Sequence, residues 1–390
     1  LGNLIFDIEY NYQENKMKLL KNKFLFLILV LFMVFGSSCD SDTDKPIKIG
    51  VAGPHSGDLA PYGIPPKNAV MLAAEKINAA GGLLGRQIEI IAEDDVCKPE
   101  IATNVASKLV GEGVVAVIGH VCSGATIAAL SVYRDNKIPV ISPSATNPDI
   151  TMNGQNPLFF RTIPHDAAQA VLQAKFIDEF LKAKTVAVIH DKGDYGKGLA
   201  TLVKEGLEKR GINIVLFEGV TPGAVDYSAL VRKIKQANPD VVAFGGYHPE
   251  GSKIVTQSRK KEITAHFISG DGLKDPSFIK IGGEYAEGYF VSSPSDISNI
   301  PATIEVTAAL KEKGQQPGNF GLQAHAGFTS IVHAIEKAKS TDPEELAKVL
   351  RSDSVSTTLG NISFDDKGDV VGSGFAIYKV ANGEFVEINW

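Results

Sequence analysis

From residue 46 onward the chain alternates between short β-branched runs and longer stretches of helical period, and that alternation limits the available folds more than any other feature. The spacing predicts strands over Ile47–Val51, Ile88–Ile91, Val114–Ile118 and Pro139–Ile141, with helices near Pro66–Ala80, Ile101–Glu112 and Thr126–Asn136 between them. A second series follows, with strands at Thr185–Ile189, Ile212–Phe217, Val241–Phe244, His266–Ile268 and Gly288–Val291. Its helices are expected near Ala167–Lys182, Lys197–Arg210, Tyr227–Gln236 and Gly251–Lys260. Strands separated by helices of 10–15 residues mark βαβ units around a parallel sheet. At 390 residues the chain exceeds what one apolar core serves, so two α/β lobes are expected.

The pattern breaks near the carboxyl end. Ile300–Lys313, Gln323–Ala338 and Asp342–Arg351 read as three consecutive helices, and Val355–Phe364 and Gly374–Val380 as strands around the turn at Asp365–Gly368. Three helices without intervening strands cannot extend a sheet. They are expected to return to one of the existing lobes, so that the chain crosses between lobes more than once.

The amino-terminal segment has a different character. After Met17 come Lys18, Lys21 and Lys23, twelve apolar residues from Phe24 to Phe35, and then Gly36-Ser37-Ser38-Cys39. A basic stretch, an apolar stretch too short to span a bilayer, and small residues before a Cys read as an export signal. Cys39 resembles the lipidated cysteine of a bacterial lipobox, although Gly36 stands where Leu is usual; a plain secretory cleavage nearby is the alternative. Residues 1–16 lie upstream of Met17, which reads as the initiator, and match no targeting pattern, and residues 39–45 suit a polar tether. Loss of residues 1–38 would leave a formal charge of −7, with mixed signs throughout. That charge disfavours nucleic acid as a partner.

With Cys39 set aside, Cys97 and Cys122 remain. In an exported protein an even pair suits a disulfide, which in the entropy model would restrict the unfolded chain by roughly 3.5 kcal/mol. A thiolate metal site with His120 is the competing reading, but two Cys and one His lack a zinc pattern.

In a parallel sheet, ligands bind in the loops that leave the carboxyl ends of the strands. Here those loops hold hydroxyl, aromatic and acidic residues. Ser123 and Thr146 stand at helix or turn starts, where free N–H groups and hydroxyls suit a carboxylate, or serve only as caps. Asp271, between Gly270 and Gly272, could face an ammonium group or form an Asx turn. Tyr62, Tyr195 and Tyr247 sit in separate loops and could close over an apolar side chain. No hydrolase, zincin, Walker or dinucleotide motif is present, and the eight His are scattered. Asp365–Asp369 lacks calcium-loop spacing.

Six segments in consistent order, VAGPHSGDLAPYG (51–63), EDDVCKP (93–99), VIGHVCSGAT (117–126), SPSATNPDIT (142–151), HDKGDYGKGLA (190–200) and GGYHPE (245–250), resemble the leucine/isoleucine/valine-binding receptors of branched-chain amino-acid ABC importers. The resemblance covers about residues 46–380. It implies an α/β type I periplasmic binding protein fold: two Rossmann-like lobes with parallel sheets, three interlobe crossovers and a ligand cleft between them. The lobes would comprise residues 46–164 with 295–372, and 165–294 with 373–390. Carried over by position, Ser123, Ser144, Ala145 and Thr146 would hold the ligand carboxylate, and Asp271, where the family usually has Glu, the ammonium. Tyr62, Val121, Tyr195, Tyr247 and His325 would line the side-chain pocket and close it, with His325 replacing a pocket Tyr. Cys97 and Cys122 would form the family disulfide.

The expected protein is thus a monomeric, extracytoplasmic carrier, periplasmic or at the outer face of the cell membrane and lipid-anchored at Cys39. It would deliver a branched-chain or other aliphatic L-amino acid to a membrane permease, with no cofactor, metal or catalysis. The alternatives are the same fold binding an amide, urea or aromatic acid, a cleft hydrolase with Ser123 as nucleophile, or a chemosensory ectodomain, whose output domain or second membrane span would have to follow Trp390.

Overall fold

The computed structural model describes residues 16–21 and 45–390. The apolar part of the export signal, Cys39 and residues 40–44 of the tether lie outside the described residues. Residues 16–21 are helical. No helix among the described residues is long and apolar enough to cross a membrane.

The first sheet has five parallel strands in the order β2-β1-β3-β4-β5. These are β1 (Ile47–Gly53), β2 (Ile88–Asp94), β3 (Ala116–Ile118), β4 (Val140–Ser142) and β5 (Phe159–Arg161). Between them run α1 (Ile64–Ala79), α2 (Pro99–Gly111), α3 (Ser123–Asp135) and the short α4 (Asp149–Met152). The boundaries follow local chemistry. Pro99 opens α2, where a missing N–H costs nothing, and Gly113 follows its end with φ +77°. β1, β3 and β4 are buried along almost their whole length, as expected of parallel strands covered on both faces.

The second sheet takes the order β15-β14-β10-β9-β8-β6-β7. It contains β6 (Thr185–His190), β7 (Asn213–Gly219), β8 (Val241–Gly245), β9 (His266–Ser269) and β10 (Phe290–Pro294), all parallel, plus β14 (Phe375–Ala381) and β15 (Glu384–Glu387), which add antiparallel at one edge. Its helices are α5 (Asp166–Lys175), α6 (Asp194–Lys209), α7 (Ser228–Ala237), α8 (His248–Lys260) and α9 (Pro276–Gly282).

α10 (Pro301–Glu312), α11 (Gly321–Ala338) and α12 (Pro343–Ser352) return to the first lobe. There Phe328, Ile331 and Ile335 share a core with Ile47 and Ile49. A small antiparallel sheet of β11 (Val355–Thr357), β12 (Gly360–Phe364) and β13 (Val370–Val371) completes that lobe. The chain therefore passes between lobes three times, after β5, after β10 and after β13. The last two passages touch, since Ser295 N donates to Gly374 O at 3.0 Å.

Several features depart from the sequence reading. The short elements α4, α9 and β13 were not expected, and β13 rather than the strand at Gly374–Val380 pairs with β12 across the turn at Asp365–Gly368. β5 and β15 were not expected: β5 is three residues ending in a fully buried Arg161, and β15 is a charged edge strand. The expected strand Val355–Phe364 is instead a hairpin, turned where Thr357 Oγ1 accepts from Leu359 N at 3.0 Å and Gly360 adopts φ +82°. The helix expected over Ala167–Lys182 leaves α-geometry at Phe176, where a wider turn carries the chain to Phe180.

Candidate functional site

The carboxyl ends of both sheets face one another, and the loops leaving them meet around a small cavity of about 10 Å³. From the first lobe Tyr62, Val121, Ser123 and Ser144 line it; from the second, Tyr195, Tyr247, Asp271 and Gly272. Phe320, the residue before α11, also faces it. That volume is near that of one water-sized sphere, so the two walls stand close together.

Ser123 is the first residue of α3, where backbone N–H groups are unsatisfied by the helix itself. Its Oγ accepts from Asn147 N at 3.3 Å. The loop after β4 is braced by Ser142, whose Oγ donates to His120 O at 2.6 Å and accepts from Ala145 N at 2.9 Å. Ser144 Oγ donates to Val121 O at 2.7 Å, tying the two loops of this wall together. Arg161 braces the same loop from behind, with Nη1 donating to Ala145 O and Asn147 O, both at 2.9 Å. Its charge is met by Asp369 at 2.5 Å. Ala145 and Thr146 thus belong to the wall's frame but do not line the cavity itself.

The opposite side is acidic. Asp271 Oδ1 accepts from Gln169 Nε2 at 2.8 Å and from the Tyr195 hydroxyl at 3.1 Å. Burial pushes its pKa up to about 6, against those two hydrogen bonds and the charge of Lys274. Asp166, the first residue of α5, was not singled out from the sequence. It is fully buried, its N–H donates to Thr146 O at 2.8 Å, and its carboxylate oxygens make no hydrogen bond of full geometry, although the Thr146 hydroxyl lies within reach of them. Burial first, and then the charge of Asp271, holds this carboxyl well above the usual range, with Thr146 and Arg161 acting in the opposite sense. Gln169 Oε1 is also buried without a partner, and Thr146 Oγ1 has only its approach to Asp166. Asp166 and Gln169 stand three residues apart on one face of α5. Unsatisfied acceptors grouped in this way suit a group with several N–H donors and a positive charge.

Aromatic rings make the remaining wall. The Tyr62 ring lies 5.8 Å from Tyr247 and 6.2 Å from Phe320, and Tyr195 lies 5.2 Å from Tyr247, centroid to centroid. Phe320 holds φ +61°, a left-handed conformation uncommon for a bulky residue.

His325 is the one expected pocket residue that the structure places elsewhere. It lines a separate cavity of about 320 Å³ with Lys76, Glu305 and Thr329, on the outer side of the first lobe. The reason is helical: five residues past Phe320, α11 has turned about 140° beyond one full revolution. Burial there lowers the His325 pKa to about 4.

Cys97 and Cys122 are joined in a disulfide, with Cα atoms 5.5 Å apart. The alternative of a thiolate metal site with His120 is thereby corrected. His120 instead sits buried between Asp95 Oδ2 at 2.6 Å and the Tyr133 hydroxyl at 3.0 Å. The residues missed from the sequence, Phe320 in the cavity wall and Asp166 and Gln169 behind Asp271, gave no motif. One signal existed: had β5 been recognised, the loop at its carboxyl end would have pointed to Asp166.

Two lobes that meet around one cavity, with hydroxyls and the start of α3 on one side and a carboxyl on the other, give the frame of a two-lobed solute-binding protein. The chain belongs to the periplasmic binding protein family, whose sequence profile matches residues 46–384. It is 41% identical over 334 residues to the leucine-, isoleucine-, valine-, threonine- and alanine-binding protein of Pseudomonas aeruginosa, covering 85% of this chain and 89% of that one. It is 39% identical to the Leu/Ile/Val-binding protein of Escherichia coli K12, covering 86% and 90%. Among solved structures, a leucine-binding protein from Thermotoga maritima superposes with TM-score 0.82 at 27% identity, covering 88% and 98%. The isoleucine complex of a branched-chain amino-acid transporter substrate-binding protein from Streptococcus pneumoniae gives 0.78 at 28%, covering 88% and 100%.

Proposed function

We propose that this protein is the extracytoplasmic receptor of an ABC importer, capturing an aliphatic L-amino acid between its lobes and presenting it to a membrane permease. The observation that carries this reading is the buried acidic pair of Asp166 and Asp271, with the unpartnered Gln169 Oε1 beside it, behind a cavity whose other wall holds Ser123. The ammonium would sit between Asp166 and Asp271, and the carboxylate at Ser123, Ser144 and the amino end of α3. Tyr62, Val121, Tyr195, Tyr247 and Phe320 would enclose the side chain. The names of the relatives support the amino-acid class. The lobe boundaries proposed are 46–164 with 295–372 and 165–294 with 373–390, with anchorage through a lipid on Cys39 and no chemistry performed on the ligand.

The magnitudes fit. A micromolar ligand needs about −8.2 kcal/mol, roughly 0.9 kcal/mol for each heavy atom of leucine, below the ~1.5 kcal/mol ceiling for very small ligands. Charged hydrogen bonds at both ends, each about 1.5–3 kcal/mol, supply much of it. Calorimetry with a panel of amino acids tests the reading. Leucine, isoleucine or valine should bind at micromolar concentration; millimolar binding of all amino acids, with tighter binding of amides, urea or aromatic acids, would overturn it.

A further inference from the structure

One side chain from the first lobe is tied into the second through a hydroxyl that has a single proton to give. The Tyr62 hydroxyl lies 2.5 Å from Gly272 O, 2.6 Å from His248 Nδ1 and 3.4 Å from His248 N. Both side chains are buried, Tyr62 at 1% exposure and His248 at 2%. Gly272 O can only accept, so the phenolic proton goes there. The phenolic oxygen then accepts from His248, and Nδ1 must carry a hydrogen for that contact to attract. His248 is the first residue of α8, fixed by its own helix: Ser252 Oγ donates to His248 O at 2.6 Å.

We infer that His248 is a positioning residue for capture: its Nδ1–H holds the Tyr62 hydroxyl, and with it the first lobe, against the second, and so sets the rate at which ligand leaves. Tyr62 is the residue through which this acts, because its ring packs on Tyr247 and Phe320 over the cavity. Interactions that hold a closed complex together act on dissociation more than on association. The inference rests on the receptor reading above.

The charged groups that face His248 are Asp275, on the turn before α9, and Asp58, in the loop after β1; burial lowers its pKa and both carboxylates oppose that. A second proton would enter at Nε2 and leave the Nδ1–H bond in place. The latch is therefore insensitive to the protonation of His248.

Two measurements on the full chain decide the matter. The first needs no ligand: NMR of protein labelled with ¹⁵N-histidine should show His248 carrying its hydrogen on Nδ1, and an Nε2–H tautomer overturns the inference. The second follows release of L-isoleucine by stopped flow. His248→Leu should speed release roughly three- to ten-fold, the range for one lost hydrogen bond, with association little changed. His248→Asn, which offers an amide N–H near the position of Nδ1, should restore most of the wild-type rate, and the ratio of wild-type to Asn rates should stay flat from pH 5 to pH 8. Tyr62→Phe and the double variant with His248→Leu should match each other, since both lack the same bond. Unchanged release in His248→Leu, additive effects in the double variant, or a ratio that rises as pH falls each overturns the latch. If the wild-type protein binds no isoleucine, the aliphatic amino-acid reading falls, and the NMR tautomer still decides the latch. Near-UV circular dichroism of each variant separates a lost bond from a lost fold.

Discussion

Asp271 carries conflicting demands that a single substitution separates. Its carboxyl has a pKa near 6 because burial disfavours the charge, whereas an unfolded Asp titrates near 4. The sign follows: the folded state holds the proton more tightly, so this group adds stability as pH falls from about 6 to about 4 and costs stability above 6. Two pKa units correspond to about 2–3 kcal/mol. Asp271→Asn keeps an acceptor for Gln169 and Tyr195 while removing the charge. We expect it to raise the melting temperature of the ligand-free protein at pH 7.5 and to weaken amino-acid binding by roughly ten- to a hundred-fold, the worth of a charged hydrogen bond. Bound ammonium favours the ionised carboxylate, so binding below pH 6 must expel a proton. Wild-type affinity should therefore decline as pH drops through about 6, and calorimetry on Asp271→Asn should lack that step. Asp271 was legible in the sequence because a lone acid between two glycines after an apolar run announces a strand's end. Asp166 was not, because it opens a helix beside a His and looks like an ordinary first-turn acid that complements the helix dipole. Only its burial beside Asp271 gives it away.

Among the elements, legibility tracked length and period. Strands such as β1 and β8 and helices such as α6 are long enough for their apolar spacing to decide them, and they stand within a few residues of the sequence reading. β5 failed for a physical reason, since its third residue is an arginine that sequence patterning assigns to the surface. The structure buries it completely because Asp369, from the turn before β13, reaches back to pair with it; the backbones also bridge there, and Arg161 Nη2 donates to the Thr151 hydroxyl. No local pattern records a partner 208 residues away. The strut has a measurable consequence. Removing one partner of a buried ion pair leaves the other charge uncompensated, at about 3–5 kcal/mol. Asp369→Asn should thus lower urea stability by that order and loosen the loop at 144–147 that Arg161 holds. Lys137→Ala, which breaks an exposed pair with Glu344, should leave urea stability nearly unchanged and serves as the contrast. The Cys97–Cys122 bridge is the other device at this scale, and it was legible: two cysteines in an exported chain left few alternatives. Its replacement by Ala at both positions should cost about 2–4 kcal/mol in the same assay.

At the scale of the whole molecule, the question is whether capture moves the lobes as solid bodies. Each lobe has its own apolar cores, one pair built on β1 and α11 with α2 and α3, the other on β6–β10 with α6–α9 and β14. Between them lie the aromatic walls of the cleft and three chain crossings. Close-packed cores deform little, so the crossings are where backbone rotation is accommodated. Trp390 offers a test because it is the only tryptophan in the chain. It packs against Phe176 at 5.1 Å and Phe180 at 6.4 Å, and Phe176 in turn meets Phe290 at the amino end of β10, the pole of the second lobe away from the cleft. The tyrosines 62, 195 and 247 lie in the cleft itself. Rigid closure therefore changes the surroundings of those tyrosines and leaves the indole untouched. On titration with isoleucine, the near-UV dichroism of tyrosine should change and saturate with the ligand, while tryptophan emission selected by red-edge excitation stays constant within a few per cent. A shift in the Trp390 emission maximum would mean that binding reorganises the second lobe's core as well as the hinge. The same experiment run across temperatures should give a negative heat-capacity change, because closure removes the aromatic wall from water along with the ligand's own side chain.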